Sequence, residues 1–278
     1  MSGDLDVVAR FLATHCGFEI GADKHYQLQS RLAPILETAK LNDFTELGYR
    51  LEADRNGVLA HQVIDAVANN ETYFFRDRAA YAQLREIALP RLIEARREIK
   101  SLRIWCAACS TGQEPYSIAM LLDEFSRQLT GWRIEILATD ISQRALEIAR
   151  EGAYSQFEVQ RGLPIAHLMR YFRQEGESWR LNEYMRSAVT FRPFNLLDDF
   201  GGLGVFDIVV CRNVLIYFDV RRKTNILDRF APQLAMDGYL MLGVAESPVG
   251  LSGAFATNPE HMALCQRLGD RPRLAAAV

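Results

Sequence analysis

The sequence predicts an α/β fold, a doubly wound parallel sheet with a small antiparallel insertion, preceded by a small all-helical domain. Three observations carry this. From residue 102 onward, short apolar runs alternate with helix-periodic segments, the rhythm of a parallel sheet buried on both faces. Before that point, apolar residues recur three and four apart with few β-branched runs. Between 161 and 192 the rhythm breaks into short strand-like pieces around a Gly turn.

In chain order, Val7, Val8, Phe11 and Leu12 define one helix face, and Leu28, Leu32, Ile35 and Leu36 a second. Phe44, Leu47 and Leu51, then Val63, Ile64 and Val67, give two more. Residues 1–80 are expected to form the helical domain, 81–100 an amphipathic connecting helix, and 101–278 the sheet domain, with the insertion at about 161–192. Strands are expected at 102–107, 132–139, 206–211 and 239–243, and helices at 143–150 and 222–234. In the insertion, 170–173, 179–181 and 189–192 read as strands around the turn at 175–178. The tail Ala275-Ala276-Ala277-Val278 is expected to fray.

A chain of 278 residues, 49% hydrophobic and 24% charged, is ordinary for a globular protein. The net charge of −3 does not suggest a nucleic-acid binder. No apolar run reaches 18 residues, and the acidic start Met1-Ser2-Gly3-Asp4-Leu5-Asp6 does not read as a secretory signal, so a cytoplasmic location without membrane insertion is expected. Cys106 and Cys109 have the spacing of a redox or metal pair, but no second pair and no adjacent His pair completes a zinc site. The five cysteines therefore read as buried free thiols. None of the five His falls at metal-ligand spacing, so no metal is expected.

The segment Ala108-Cys109-Ser110-Thr111-Gly112-Gln113-Glu114-Pro115-Tyr116-Ser117 reads as strand, tight turn and helix start, with Pro115 in the first helical turn. Such a turn leaves N–H groups suited to an anionic ligand group. Three further blocks accompany it: Asn69-Asn70-Glu71-Thr72-Tyr73-Phe74-Phe75-Arg76, Ala138-Thr139-Asp140-Ile141-Ser142, and Cys211-Arg212-Asn213-Val214-Leu215-Ile216-Tyr217-Phe218. With these four ordered blocks the chain resembles the CheR family, S-adenosylmethionine-dependent methyltransferases that esterify glutamates on bacterial chemoreceptors. The resemblance covers most of the chain. It implies a Rossmann-like methyltransferase domain, S-adenosylmethionine as cofactor and S-adenosylhomocysteine as product. It also implies that Asn70, Thr72 and Arg76 hold the cofactor and that Asn195 and Leu196 flank its adenine.

The residues support that chemistry independently. Asp140 ends the second strand 28 residues after Gly112, where an acid accepts hydrogen bonds from a ribose; a cap for the helix starting near Ser142 is the other role open to this segment. The single Gly112 in place of G-x-G-x-x-G argues against a pyrophosphate and for a cofactor without phosphate. Glu114 suits a cationic amino group, or complements the helix N-terminus. Arg212 and Asn213 follow the third main strand, at the carboxyl end where such sheets bind ligands. Tyr217 falls near the expected point of methyl transfer, unless it is a core Tyr with a satisfied hydroxyl.

The insertion holds six Arg (161, 170, 173, 180, 186, 192) against three Glu (175, 177, 183). That excess fits either solvated edge strands or a docking surface for an acidic peptide. The resemblance implies a β-subdomain here, which in some members binds a receptor's C-terminal pentapeptide. It likewise implies that the helical domain helps to recognise the methylation helices of transmembrane chemoreceptors, for which Lys24, Arg31 and Lys40 are available. A monomer is expected. Two other readings are a methyltransferase for a different substrate and a non-catalytic binding module. Against the first stand the net charge and the absence of prolines in Arg212-Asn213-Val214-Leu215. Against the second stands the presence together of Arg76, Glu114, Asp140 and Asn213.

Overall fold

The computed structural model describes residues 2–257 and 261–269; the tail at 275–278 lies outside them. The first four helices are α1 (Ser2–Cys16), α2 (His25–Ala39), α3 (Phe44–Ala53) and α4 (Val58–Val67). Each carries the apolar stripe read from the sequence. Their stripes close on one another in a core of Leu5, Val8, Phe11, Leu12, Leu28, Leu32, Leu47, Leu51, Val63 and Ile64, separate from the sheet's two cores. Asp43 caps α3 through the Glu46 N–H at 2.8 Å, the role its short carboxylate favours.

The predicted connecting helix is a composite. It runs through α5 (Arg78–Gln83), a π-turn (Leu84–Ala88) and α6 (Leu89–Ala95). Pro90 has no N–H for the carbonyl four residues back, and the helix widens just before it. It stops five residues short of the predicted end.

The main sheet contains β1 (Ser101–Ala107), β2 (Arg133–Asp140), β6 (Val189–Pro193), β7 (Phe206–Cys211), β8 (Leu234–Leu242), β9 (Phe255–Thr257) and β10 (Leu264–Arg267), in the order β6-β2-β1-β7-β8-β10-β9. A second sheet, ordered β3-β5-β4, contains β3 (Ala153–Ser155), β4 (Phe172–Glu175) and β5 (Ser178–Leu181). Helices α7 (Gln113–Glu124) and α8 (Gln143–Glu151) follow β1 and β2. Short helices α9 (Gln156–Gln160), α10 (Ile165–Tyr171) and α11 (Glu183–Arg186) belong to the insertion, and α12 (Val220–Phe230) precedes β8.

Three sequence expectations need correction. Residues 189–192 do not belong to the insertion: they pair in parallel with β2, Ile136 opposite Val189. The third strand of the small sheet is instead the three-residue β3, too short to carry a periodic signal. The main sheet is not wholly parallel, because β10 runs antiparallel to both β8 and β9. The predicted helix at 222–234 gives way earlier, and β8 already begins at Leu234.

The period of two along each strand sorts the apolar residues onto two faces. Ile104, Cys106, Ile136, Ala138, Ile208 and Val210 face a core shared with α5, α6, α7 and the small sheet. Trp105, Ala107, Leu137, Val209 and Cys211 face a core shared with α12 and Phe200. Trp105 is fully buried, with its ring centroid 5.1 Å from Phe200, 5.2 Å from Phe230 and 5.6 Å from Phe206, and its Nε1 donates to Thr139 Oγ1 at 2.9 Å.

The helical module docks on the sheet domain through the carboxyl end of α1. Asn195 Nδ2 donates to the His15 carbonyl at 2.6 Å, and Arg222 Nη2 to the Ala13 carbonyl at 2.8 Å. Arg222 also pairs with Glu19. A cation and an amide from one domain thus satisfy the orphan carbonyls at a helix end of the other, where the helix dipole favours positive charge.

Replacing Trp105 by Ala is expected to destabilise the protein by about 3–5 kcal/mol, the range for emptying an aromatic site in a core. Denaturant unfolding measures it; a loss below about 1 kcal/mol would mean that the four-ring cluster contributes little.

Candidate active site

A cavity of about 600 Å³ opens where the carboxyl ends of β1, β2 and β7 meet the helical module. Strand order reverses here: β2 lies on one side of β1 and β7 on the other. The crevice beyond such a point is where doubly wound sheets bind ligands. Three segments line it from the sheet domain, 68–76, 108–114 and 212–219, together with Asp140 and Ile141, and residues 18–31 contribute a wall from the helical module.

Of the sequence-predicted site residues, Asn70, Thr72, Arg76, Glu114, Asp140, Arg212, Asn213 and Tyr217 all line this cavity. Gly112, Asn195 and Leu196 are not among its lining residues. Gly112 adopts φ +95 at the cap of α7, and a Cβ there would sit 2.9 Å from that of Ala149, so its task is the turn itself. Asn195 caps α1 as described, and Leu196 is buried in the core on the Trp105 face of the sheet.

Asp140 is the anchor of the turn after β1. Its Oδ2 accepts the Ser110 N–H at 2.7 Å and its Oδ1 the Ser142 N–H at 2.9 Å. Ser142, not Asp140, caps α8, accepting from the Ala145 N–H. Burial raises the Asp140 carboxyl above the ordinary carboxylate range, against the lowering effect of the N–H groups of Ser142, Ser110 and Ile141.

Three amides of the turn are already engaged within the protein. The N–H groups of Cys109 and Gly112 donate to the Thr139 and Cys109 carbonyls, and that of Ser110 to Asp140. With those three donors engaged and the buried carboxylates of Glu114 and Asp140 among the lining residues, a phosphate is poorly accommodated. A ligand bearing hydroxyls and a cation fits this donor and acceptor set.

Arg212, with its side chain 1% exposed, binds Glu114 Oε2 through Nη1 at 3.1 Å. Its Nη2 donates to Asp77 Oδ2 and to the Arg76 carbonyl, both at 2.7 Å. Its guanidinium also lies over the Tyr81 ring, 5.6 Å from the centroid. Glu114 is raised above the ordinary carboxylate range by burial, an effect that Arg212 opposes. Arg76 is held by Nη1 to the Glu71 carbonyl at 2.9 Å and by the Tyr73 ring, which Arg161 also covers at 4.3 Å. Tyr217, 37% exposed, receives a hydrogen bond from Asn69 Nδ2 at 2.7 Å, so it is a rim residue and not a core Tyr.

Seven non-glycine residues with positive φ are found among the described residues; Phe75, Ala108, Ser110 and Asn213 fall in the three segments around the cavity, and Asp77 directly follows the first of them. Backbone strain of this kind concentrates at functional sites. Sequence reasoning missed Glu246, whose carboxylate receives the N–H groups of Asn213, Val214, Leu215 and Gly243. The glutamate follows β8 in a segment with no periodic pattern, so only its isolation as a charge after an apolar strand marked it.

No His lines the cavity, and no group of three potential ligands for a metal occurs among the described residues. No helix among them is long and apolar enough to cross a membrane. The Arg-rich insertion spends much of its charge internally: Arg161, Arg170, Arg180 and Arg186 pair with Glu71, Asp123, Glu175 and Glu183.

All five cysteines are free and buried. Burial raises the Cys16 thiol to about 12 and Cys265 to about 11, and holds Cys106, Cys109 and Cys211 well above the ordinary thiol value. Since the thiolate is the reactive form, none is expected to be alkylated by iodoacetamide at pH 8 in the native protein. All five should react once it is unfolded, as mass spectrometry would count; rapid native labelling of Cys109 would contradict this account of the turn.

Residues 70–263 match the family described as CheR methyltransferase, SAM binding domain, and residues 3–68 match CheR methyltransferase, all-alpha domain. The chain is 40% identical over 267 residues to chemotaxis protein methyltransferase Cher2 of Pseudomonas putida, covering 95% of this chain and 94% of that one. It is 41% identical over 250 residues to chemotaxis protein methyltransferase 1 of Pseudomonas aeruginosa, covering 88% and 90%. Among solved structures, magnesium protoporphyrin IX methyltransferase of Synechocystis PCC 6803 overlaps loosely, with a TM-score of 0.35 at 15% identity, over 66% of this chain and 73% of that one.

Proposed function

The chain belongs to the CheR methyltransferase family, and from that premise we propose that it methylates glutamate side chains on the cytoplasmic domains of chemoreceptors. The observation that carries this reading is the cavity itself. It brings the buried carboxylates of Glu114 and Asp140 together with Arg76, Arg212 and Asn213 beside the carboxyl ends of three strands, and no His lines it.

When bound, S-adenosylmethionine supplies a methyl carbon on a cationic sulfur and leaves as S-adenosylhomocysteine. Asp140 accepts the ribose hydroxyls with the lone pairs that Ser110 and Ser142 leave open. Glu114 takes the ammonium of the methionine portion, and the planar fork of Arg76 its carboxylate. Asn70, Thr72, Arg212 and Asn213 complete the proposed contact set. Gly112, Asn195 and Leu196 support it by fixing the turn, the docked module and the packing behind β6.

A glutamate acceptor has a reference pKa of about 4.3 and is ionised at neutral pH. It requires no proton abstraction, in keeping with the absence of His from the cavity lining. The work left to the protein is alignment and exclusion of water. Residues 18–31 wall the cavity on the side away from the sheet, and Tyr217 with Asn69 stands at the rim where the acceptor would enter. Internal pairing of four insertion arginines leaves a smaller basic surface for a receptor peptide than composition alone implied. Docking of the receptor through the helical module is therefore the favoured route.

Calorimetric titration with S-adenosylhomocysteine should give binding that Asp140→Ala weakens by on the order of 1.5–3 kcal/mol, the scale of hydrogen bonds to a charged group. Methyl transfer to receptor cytoplasmic fragments should fall in parallel. A folded wild type that binds neither S-adenosylmethionine nor its product would overturn the reading.

Affinity should also depend on pH in a defined direction. Because burial raises Asp140 and Glu114, both take up protons at a higher pH than ordinary carboxylates as the solution is acidified. Protonation removes acceptor capacity and charge, so affinity should begin to fall while exposed carboxylates are still ionised. Asp140→Asn should flatten part of that limb. Affinity unchanged until exposed carboxylates titrate would contradict it.

A further inference from the structure

Glu246 does not line the cavity, yet it fixes a residue that does. Its Oε2 accepts the N–H groups of Asn213 at 2.7 Å and Gly243 at 2.8 Å, and its Oε1 those of Leu215 at 2.7 Å and Val214 at 2.9 Å. Each oxygen thus serves two donors, and the four donors come from the carboxyl ends of two neighbouring strands, β7 and β8. Gly243 permits the approach: a Cβ there would sit 2.6 Å from Glu246 Oε2.

Asn213 is the residue this cradle constrains most. It is left-handed at φ +58, an uncommon state for a non-glycine residue. Its side-chain Oδ1 is buried with no hydrogen-bond partner, although Asn213 lines the cavity. A buried acceptor without a donor is unfavourable unless a ligand supplies one. Two residues on, the same cradle holds the start of the short turn Leu215–Tyr217 that carries the rim tyrosine.

We propose that Glu246 is a positioning residue for cofactor binding: by collecting four backbone N–H groups it holds Asn213 left-handed, with its amide oxygen ready for a donor of the cofactor. The proposal rests on the methyltransferase reading of the cavity. A carboxylate is required for the cradle. In Glu246→Gln, which has nearly the same volume, the amide NH₂ would face two N–H donors where an oxygen now accepts both.

The test uses the full chain. In Glu246→Gln, amide hydrogen exchange at 213–215 should accelerate at least tenfold, and the dissociation constant for S-adenosylhomocysteine should rise at least tenfold. The KM for S-adenosylmethionine should rise similarly, while kcat at saturating cofactor stays within about threefold of wild type. Because Glu246 acts through Asn213, the substitution should cost little further affinity in an Asn213→Ala background, a coupling that general destabilisation would not produce. If Glu246→Gln does not fold, Glu246→Asp, with an arm one methylene shorter, takes its place in the same measurements.

Affinity within twofold of wild type, or full additivity with Asn213→Ala, would overturn the proposal while leaving the methyltransferase reading intact. Failure of the wild type itself to bind S-adenosylhomocysteine would overturn that reading, and this proposal with it.

Discussion

The guanidinium of Arg212 stands where β7, α7 and the segment 70–77 converge, and the partners described for it all answer its charge or its donors. Glu114 comes from the first turn of α7, Asp77 and the Arg76 carbonyl from the connecting segment, and the Tyr81 ring from α5. A cation buried this deeply is tolerable only when paired. The same requirement draws three separately folded pieces of backbone to one point. Removing Arg212 would leave the Glu114 and Asp77 carboxylates without their shared counter-ion, and the cavity wall would lose its common anchor. Catalytic geometry and structural integrity therefore depend on one buried ion cluster.

Around that cluster, the strained loops are held by groups that are not themselves strained. Asp140 secures Ser110 and Glu246 secures Asn213, while the Ser117 hydroxyl receives the Phe75 N–H at 3.0 Å. In these three cases the left-handed residue's own N–H is accepted by a side chain. Two of these acceptors are carboxylates whose charge strengthens the hydrogen bond. Holding the loops by these hydrogen bonds suits a transfer that needs alignment more than proton movement. It also accounts for a site rich in acids that contains no His.

The helical module is more than a neighbour. Its α1 helix ends on Asn195 and Arg222, and the residues that follow, Phe18 to Arg31, form one side of the cavity. Capping a helix of one domain with side chains of the other makes the docking directional, since the carbonyls at a helix end point one way only. The enclosure of the site is thus a property of the docked pair.

Much of this was legible in the sequence, for definite reasons. The alternation of apolar runs located β1, β2 and β7, because the part of each strand buried on both faces is a continuous apolar run, as in Ile104-Trp105-Cys106-Ala107 and Ile208-Val209-Val210-Cys211. Gly112, Asp140 and the Arg212-Asn213 pair follow strand ends, and strand ends in a doubly wound sheet converge. The strands that escaped, β3, β9 and β10, are three or four residues long and owe their extension to their neighbours. Val189–Pro193 was visible as a strand but not as a member of the main sheet, because pairing partners lie outside local pattern. Asn195 shows the same division: the family resemblance implied a cofactor contact, and only the tertiary structure shows that its amide donates to the end of α1. Composition counted six arginines in the insertion, but only the fold could show that four are paired within the molecule. By itself the sequence determined which residues carry charge, which segments must be buried and what chemistry the site supports. The tertiary structure decided which charges meet, which backbone donors remain and what Glu246 holds, because hydrogen bonding between distant segments is set by where the packed elements bring them.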